Sequence, residues 1–374
     1  MKNLIPILFI ILCIFMTDNK ILADGEQKPV VQIAILLDTS GSMDGLIEQA
    51  KSQLWKIVNE FALAKHEGVR PELQVALYEY GKASISTQEG YLRMILPLTT
   101  DLDKISQELF ALTTNGGDEY CGRVIKAATD GLSWSRSNKD YKTIFIAGNE
   151  PFTQGDVNYA DACKAAITKG IIVNTIHCGP YDQGVNGNWQ DGAILADGKY
   201  LNIDQNSAVA HIEAPQDKEI SRLGVEINKT YIAYGKYGKE GCDNQMAQDK
   251  NAASSAGESM VQRSNSKSSL LYCNTSWDLV DACKLDSINV AEVKEEDLPE
   301  EMKKMNVDER MAFVDGKSKE REQIQQQIST LNKERIKIVA EEMKKNAVEG
   351  KDTLDTAIIK AVREQCAKKD YKFE

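Results

Sequence analysis

From residue 30 onward the chain switches repeatedly between two apolar spacings, one typical of strands and one of helices. Val30 to Leu37 is an apolar, β-branched run interrupted only by Gln32, the pattern of a strand buried on both faces of a parallel sheet. It stops at Asp38-Thr39-Ser40-Gly41-Ser42. From Leu46 to Leu63 the apolar positions Leu46, Ile47, Ala50, Leu54, Ile57, Val58 and Phe61 recur at helical spacing. The alternation then continues. Leu73–Tyr80 and Tyr91–Leu98 read as strands, Asp101–Leu112 as a helix, Gly116-Gly117 as a loop and Cys121–Trp134 as a helix. Lys142–Ala147 is an apolar strand, Asp156–Lys169 a helix and Ile171–His177 a further strand.

Strands alternating with helices predict an α/β fold, a doubly wound and mainly parallel sheet covered on both faces. Tyr181 to Asp197, dense in Gly, Asn, Asp and Gln, reads as a long loop anchored by Trp189, and Tyr200–Ile203 as a short edge strand. Asp217–Tyr231 is expected as the last helix of the sheet domain, which then spans 30–235, with Lys236–Gly241 as its exit. Residues 236–290 read as an irregular helical linker, with Ala252–Ser269 a linker or mobile helix because its periodicity is weak. Residues 291–374 form a charged helical tail whose apolar minority is Ile324, Ile328, Leu331, Ile336, Ile338 and Val339. Such Glu/Lys helices are solvated arms, short coiled coils or appendages packed on their own domain.

The first residues change the picture of where the protein resides. Lys2 precedes an apolar stretch from Leu4 to Met16, and small Ala23 follows a polar junction, the form of a secretory signal peptide over 1–23 with a linker over 24–29. The stretch is short of the ~20 apolar residues of a membrane span. Setting Cys13 aside leaves seven cysteines, an odd number, so at least one thiol is free or pairs between chains. No C-x-x-C pair occurs and only three histidines are present, which gives a zinc site little support. A net charge of −11 disfavours nucleic acid as a partner. Asn228-Lys229-Thr230 matches a glycosylation sequon by pattern alone.

Candidate chemistry centres on Asp38, Ser40 and Ser42, alternate residues at the carboxyl end of the first strand, the edge where open α/β sheets bind ligands. One carboxylate and two hydroxyls suit a hard cation such as Mg²⁺, which prefers oxygen ligands. The competing reading is local: Asp38 caps the helix that starts near Asp44. Cys121 has no histidine nearby in sequence, no Gly-x-Ser-x-Gly elbow exists, and Gly316-Lys317-Ser318 has Met311 where a phosphate loop needs its first glycine.

Over Val30 to Gly235 the sequence resembles the von Willebrand factor A (VWA) family, whose metal-ion-dependent adhesion site has the form Asp-x-Ser-x-Ser, as in Asp38-Thr39-Ser40-Gly41-Ser42. The resemblance implies a Rossmann-like sheet and a bound Mg²⁺, or another divalent cation such as Mn²⁺ or Ca²⁺. It also implies a protein partner whose acidic side chain completes the coordination, and no enzymatic activity. In the family a threonine after a glycine pair and a later aspartate complete the ion's ligands. Here Asp118 follows Gly116-Gly117, and Gly148 stands where the later aspartate is expected. The expectation is therefore a carboxylate swap, with Asp38, Ser40, Ser42 and Asp118 as ligands and Thr114, Glu119, Asn149 and Glu150 around them. Two other functions compete: an envelope scaffold that binds through its helical tail, and a metal-assisted hydrolase, for which no general base is evident beyond Asp118 and Glu119.

Overall fold

The computed structural model describes residues 28–203, 212–255, 258–346 and 354–373. The signal peptide expected over 1–23 lies outside them. The chain runs β1 (Val30–Asp38), α1 (Asp44–Ala62), β2 (Ala64–His66), β3 (Glu72–Tyr80), β4 (Leu92–Thr99), α2 (Leu102–Phe110), α3 (Cys121–Gly131), β5 (Tyr141–Gly148), α4 (Tyr159–Thr168), β6 (Ile172–Cys178), α5 (Tyr181–Asn186), α6 (Trp189–Leu195) and β7 (Tyr200–Ile203). It continues through α7 (Asp217–Glu226), α8 (Gly238–Ser254), α9 (Ser259–Ser268), α10 (Leu279–Lys284), α11 (Glu300–Lys303), α12 (Val307–Asn346), α13 (Leu354–Ala367) and β8 (Tyr371–Phe373).

Six strands form one sheet in the order β4-β3-β1-β5-β6-β7, parallel except for the edge strand β4. The apolar run of β1 is explained by its central place: Val31, Ile33 and Leu37 enter one core layer, Ala34 and Leu36 the other. Trp55, Val58 and Phe61 of α1 and Ile105 and Leu109 of α2 cover the first face. Val124 and Ile125 of α3 and Ala162, Cys163 and Ala166 of α4 cover the second. The segment expected as a loop over 181–197 instead holds the two short helices α5 and α6, and Trp189 is buried as its anchor.

The helix that closes the sheet is not the one the sequence suggested. α7 turns Ile220, Leu223 and Ile227 toward Val261, Ile324 and Ile328, away from the sheet. The closing role falls to α13, which packs on α1 and β7 and puts Ile358, Val362 and Cys366 into the sheet core. Its buried Gln365 accepts from the Tyr141 hydroxyl at 2.6 Å and donates to Asn174 Oδ1 at 2.7 Å. β8 then pairs antiparallel with β2. The sheet unit is thus built from both ends of the described chain, with a helical region inserted between β7 and α13.

That helical region includes the residues expected as a linker or irregular helical region. Residues 236–290 form α8, α9 and α10, and α9 is core. Its small polar residues permit close approach, since a Cβ added at Gly224 of α7 would lie 1.9 Å from Ser264 Oγ. α12 packs on its own chain rather than standing off as a coiled coil: Val314, Ile324 and Ile328 are buried. Arg321 reaches Asp278 and Asp281, each at 2.7 Å, and Arg335 reaches Asp217 at 2.6 Å. Asn228 is committed internally, donating to Asp249 and accepting from Lys267, so the sequon pattern there is structural. Among the described residues all seven cysteines are free.

Candidate metal centre

β1 delivers Asp38 to the carboxyl end of the sheet, between β3 and β5. The helix-cap alternative is not what forms. α1 starts behind Met43 with no side-chain cap, and Asp38 Oδ1 accepts the Ser40 amide at 2.7 Å instead. Asp38 Oδ2 is buried without a hydrogen-bond partner among the described residues. The neighbouring Tyr80 hydroxyl cannot serve it, because its proton goes to the Ala147 carbonyl at 2.9 Å. Burial pushes the Asp38 carboxyl up to about 7, against the amide and hydroxyl of Ser40. A carboxylate oxygen left in this state is costly, and a cation is one means of relieving it.

The other donors are adjacent. Ser40 Oγ and Ser42 Oγ are 3.3 Å apart, and Asn149 Nδ2 donates to Ser42 Oγ at 3.1 Å. Asn149 Oδ1 is a second buried oxygen without a partner. The Asn149 carbonyl faces His177 Nε2 at 3.3 Å, and burial lowers the His177 pKa, so this histidine sits neutral at the strand end. No three of His, Cys, Asp and Glu converge on one point among the described residues. The Asp38 carboxylate with these hydroxyl and amide oxygens is an all-oxygen donor set, and it fits a hard cation.

The Gly116-Gly117 loop leans on this site. The Asn115 amide donates to the Thr39 carbonyl at 2.9 Å. Gly117 admits no side chain, since a Cβ there would lie 2.7 Å from both Ala83 N and Gly81 O. The two residues that follow this close approach differ in burial. Asp118 is exposed and accepts the Tyr120 hydroxyl at 3.2 Å. Glu119 is the buried one, its amide held by Gln154 Oε1 at 3.0 Å. Burial pushes the Glu119 carboxyl up to about 7, opposed by the Ser40 hydroxyl and reinforced by Glu150 and Asp118. Thr114 bonds to Asp44 rather than to the Asp38 cluster, and Glu150 contributes its carbonyl to Trp189 Nε1 at 2.8 Å.

Gly148 has no room for the family's aspartate. A Cβ there would lie 2.5 Å from the Tyr80 hydroxyl and 3.1 Å from both Asp38 Oδ2 and Trp189. Gly148→Asp is accordingly expected to destabilise the fold by about 2 kcal/mol or more, read from urea unfolding, rather than restore a ligand. An unchanged midpoint would show that the pocket opens.

Sequence reading did not single out Tyr80, Gly81 or Glu79. The signal that finds them is sheet register, which sets Tyr80 beside Asp38. Glu79 is fully buried, paired with Lys82 and Arg93, and accepts the Thr39 hydroxyl at 3.3 Å, bracing the loop between Asp38 and Ser40.

An open, mainly parallel sheet with an oxygen-rich cluster at the carboxyl end of its central strand defines an α/β module with a candidate cation site. Residues 32–191 match the model of the von Willebrand factor type A domain. BatB from Bacteroides thetaiotaomicron, a conserved hypothetical protein, is similar at 19% identity over 46% of this chain and 90% of its own, with a TM-score of 0.35. The SpRpn10 VWA domain is similar at 16% identity over 46% and 88%, with a TM-score of 0.36. Proximal thread matrix protein 1 from the mussel byssus, in a form with a zinc-occupied MIDAS motif, is similar at 11% identity over 48% and 43%, with a TM-score of 0.34. No curated protein matches the chain.

Proposed function

We propose that this chain is an exported, non-enzymatic binding protein. Its VWA domain holds a divalent cation, Mg²⁺ or in its place Mn²⁺ or Ca²⁺, at Asp38, Ser40 and Ser42. An acidic side chain of a protein partner docks onto that ion. The observation that carries this reading is Asp38 Oδ2, a buried carboxylate oxygen without a partner, set beside two hydroxyls at the ligand-binding edge of the sheet. Export rests on the apolar leader from Leu4 to Met16. No helix among the described residues is long and apolar enough to cross a membrane.

The reading in which the tail makes the main interaction has weaker support. Arg321 and Arg335 of α12 are spent on internal ion pairs, and α13 is part of the sheet core. Truncation near Ser269 would strip α13 from the sheet, so it does not separate the two readings.

Calorimetric titration of Mg²⁺ and Mn²⁺ into residues 24–374 tests the proposal. One ion is expected to bind, with a chelator-reversible rise in melting temperature that grows with ion concentration, worth about 2.7 kcal/mol at 100 times Kd. Because Asp118 faces solvent, Asp118→Ala is expected to bind as the parent does. Absence of uptake by the wild-type chain rejects the cation-dependent mechanism and leaves the fold.

A further inference from the structure

We propose that Glu119 is itself a ligand of the ion, so that the chain grips the cation with two carboxylates from two separate loops. The inference rests on the cation reading above and adds to it the residue that follows Asp118.

The geometry brings the two acids together. A Cβ added at Gly81, whose φ is +78°, would lie 2.7 Å from Asp38 Oδ1 and 2.9 Å from Glu119 Cγ. Both atoms thus lie within 3 Å of one point, and less than about 6 Å separates them. The Ser40 amide donates to Asp38 Oδ1 at 2.7 Å, and the Ser40 hydroxyl lies 3.3 Å from Ser42 Oγ. Asp38 Oδ2 stays without any partner.

Nearby, the fold treats a buried acid differently. Glu79, at the end of β3, receives both Lys82 and Arg93. No cationic side chain pairs with Asp38 or Glu119 among the described residues. Two neighbouring buried carboxylates without a counter-charge repel each other unless a proton or a cation lies between them. The Gly117 close contact and the Asn115–Thr39 hydrogen bond hold the loop so that Glu119 stays in place. Two carboxylates also balance the charge of a divalent ion, so the ion is retained before any partner arrives.

The test uses Mn²⁺ with residues 24–374 as wild type, Glu119→Gln and Asp118→Asn. Affinity is read by calorimetry, and the hydration of the bound ion by water-proton relaxation. Glu119→Gln is expected to weaken Mn²⁺ at least about tenfold and to add one exchanging water to the bound ion, while Asp118→Asn changes neither. Melting in chelator is expected to be no lower for Glu119→Gln than for wild type, which separates ligand loss from unfolding. Unchanged affinity, or weaker binding with unchanged hydration, overturns the assignment of Glu119 and leaves the Asp38 site standing. Failure of the wild-type chain to take up Mn²⁺ overturns the cation reading and this inference with it.

Discussion

At pH 8 in chelator, Asp38→Asn is expected to melt higher than the wild-type chain, and the same substitution is expected to abolish the cation-dependent rise in melting temperature. The buried carboxyl titrates at about 7 in the folded chain, against 3.8 for an ordinary aspartate. A carboxyl raised in this way binds its proton more tightly folded than unfolded. Its destabilising effect is therefore absent below pH 3.8, grows as pH rises through that window, and is complete above 7. Such a rise corresponds to a ceiling of about 4 kcal/mol, and we expect a gain of about 1–3 kcal/mol because the site relaxes. The neighbouring Glu119 charge contributes to the rise, so the two acids do not act independently. Below pH 7 cation uptake is expected to release protons and to weaken with acidity. A substituted chain that melts lower than wild type at pH 8 in chelator contradicts this account, because the charge would then be compensated inside the chain.

The second large effect lies in the helical region. Arg263 of α9 is fully buried; its guanidinium bonds to Asp103 of α2, to Asp249 of α8 at 2.9 Å and to the Gln245 carbonyl at 3.3 Å. It also lies over the Trp55 ring of α1 at 4.6 Å. Arg263→Ala leaves Asp103 without its cation and Asp249 with only Lys267, 2.7 Å away. The expected loss is about 3–5 kcal/mol in urea unfolding, because removing one partner strands buried charge. Arg222→Ala, which removes only an exposed pair with Glu219, is expected to leave the midpoint unchanged and serves as the comparison. A small effect at Arg263 would mean that α9 is loosely docked, as its Ser-rich sequence had suggested.

The layered sheet was legible because its information is local. Apolar runs such as Val30–Leu37 and the helical spacing from Leu46 to Leu63 each report on their own element, and Asp38, Ser40 and Ser42 lie within five consecutive residues. What lay beyond reach depended on contacts between distant segments. α7 and α13 are both amphipathic, so periodicity cannot tell which one closes the sheet; Gln365 meeting Tyr141 and Asn174 decides it. α9 and α12 bury arginine and lysine whose partners lie elsewhere in the chain, and a hydropathy pattern counts such residues as solvated. Asp118 and Glu119 are chemically alike and adjacent. That Glu119 is buried and Asp118 exposed emerges only where the loop, with Gly117 leaving no room for a side chain against Gly81 and Ala83, meets its neighbour.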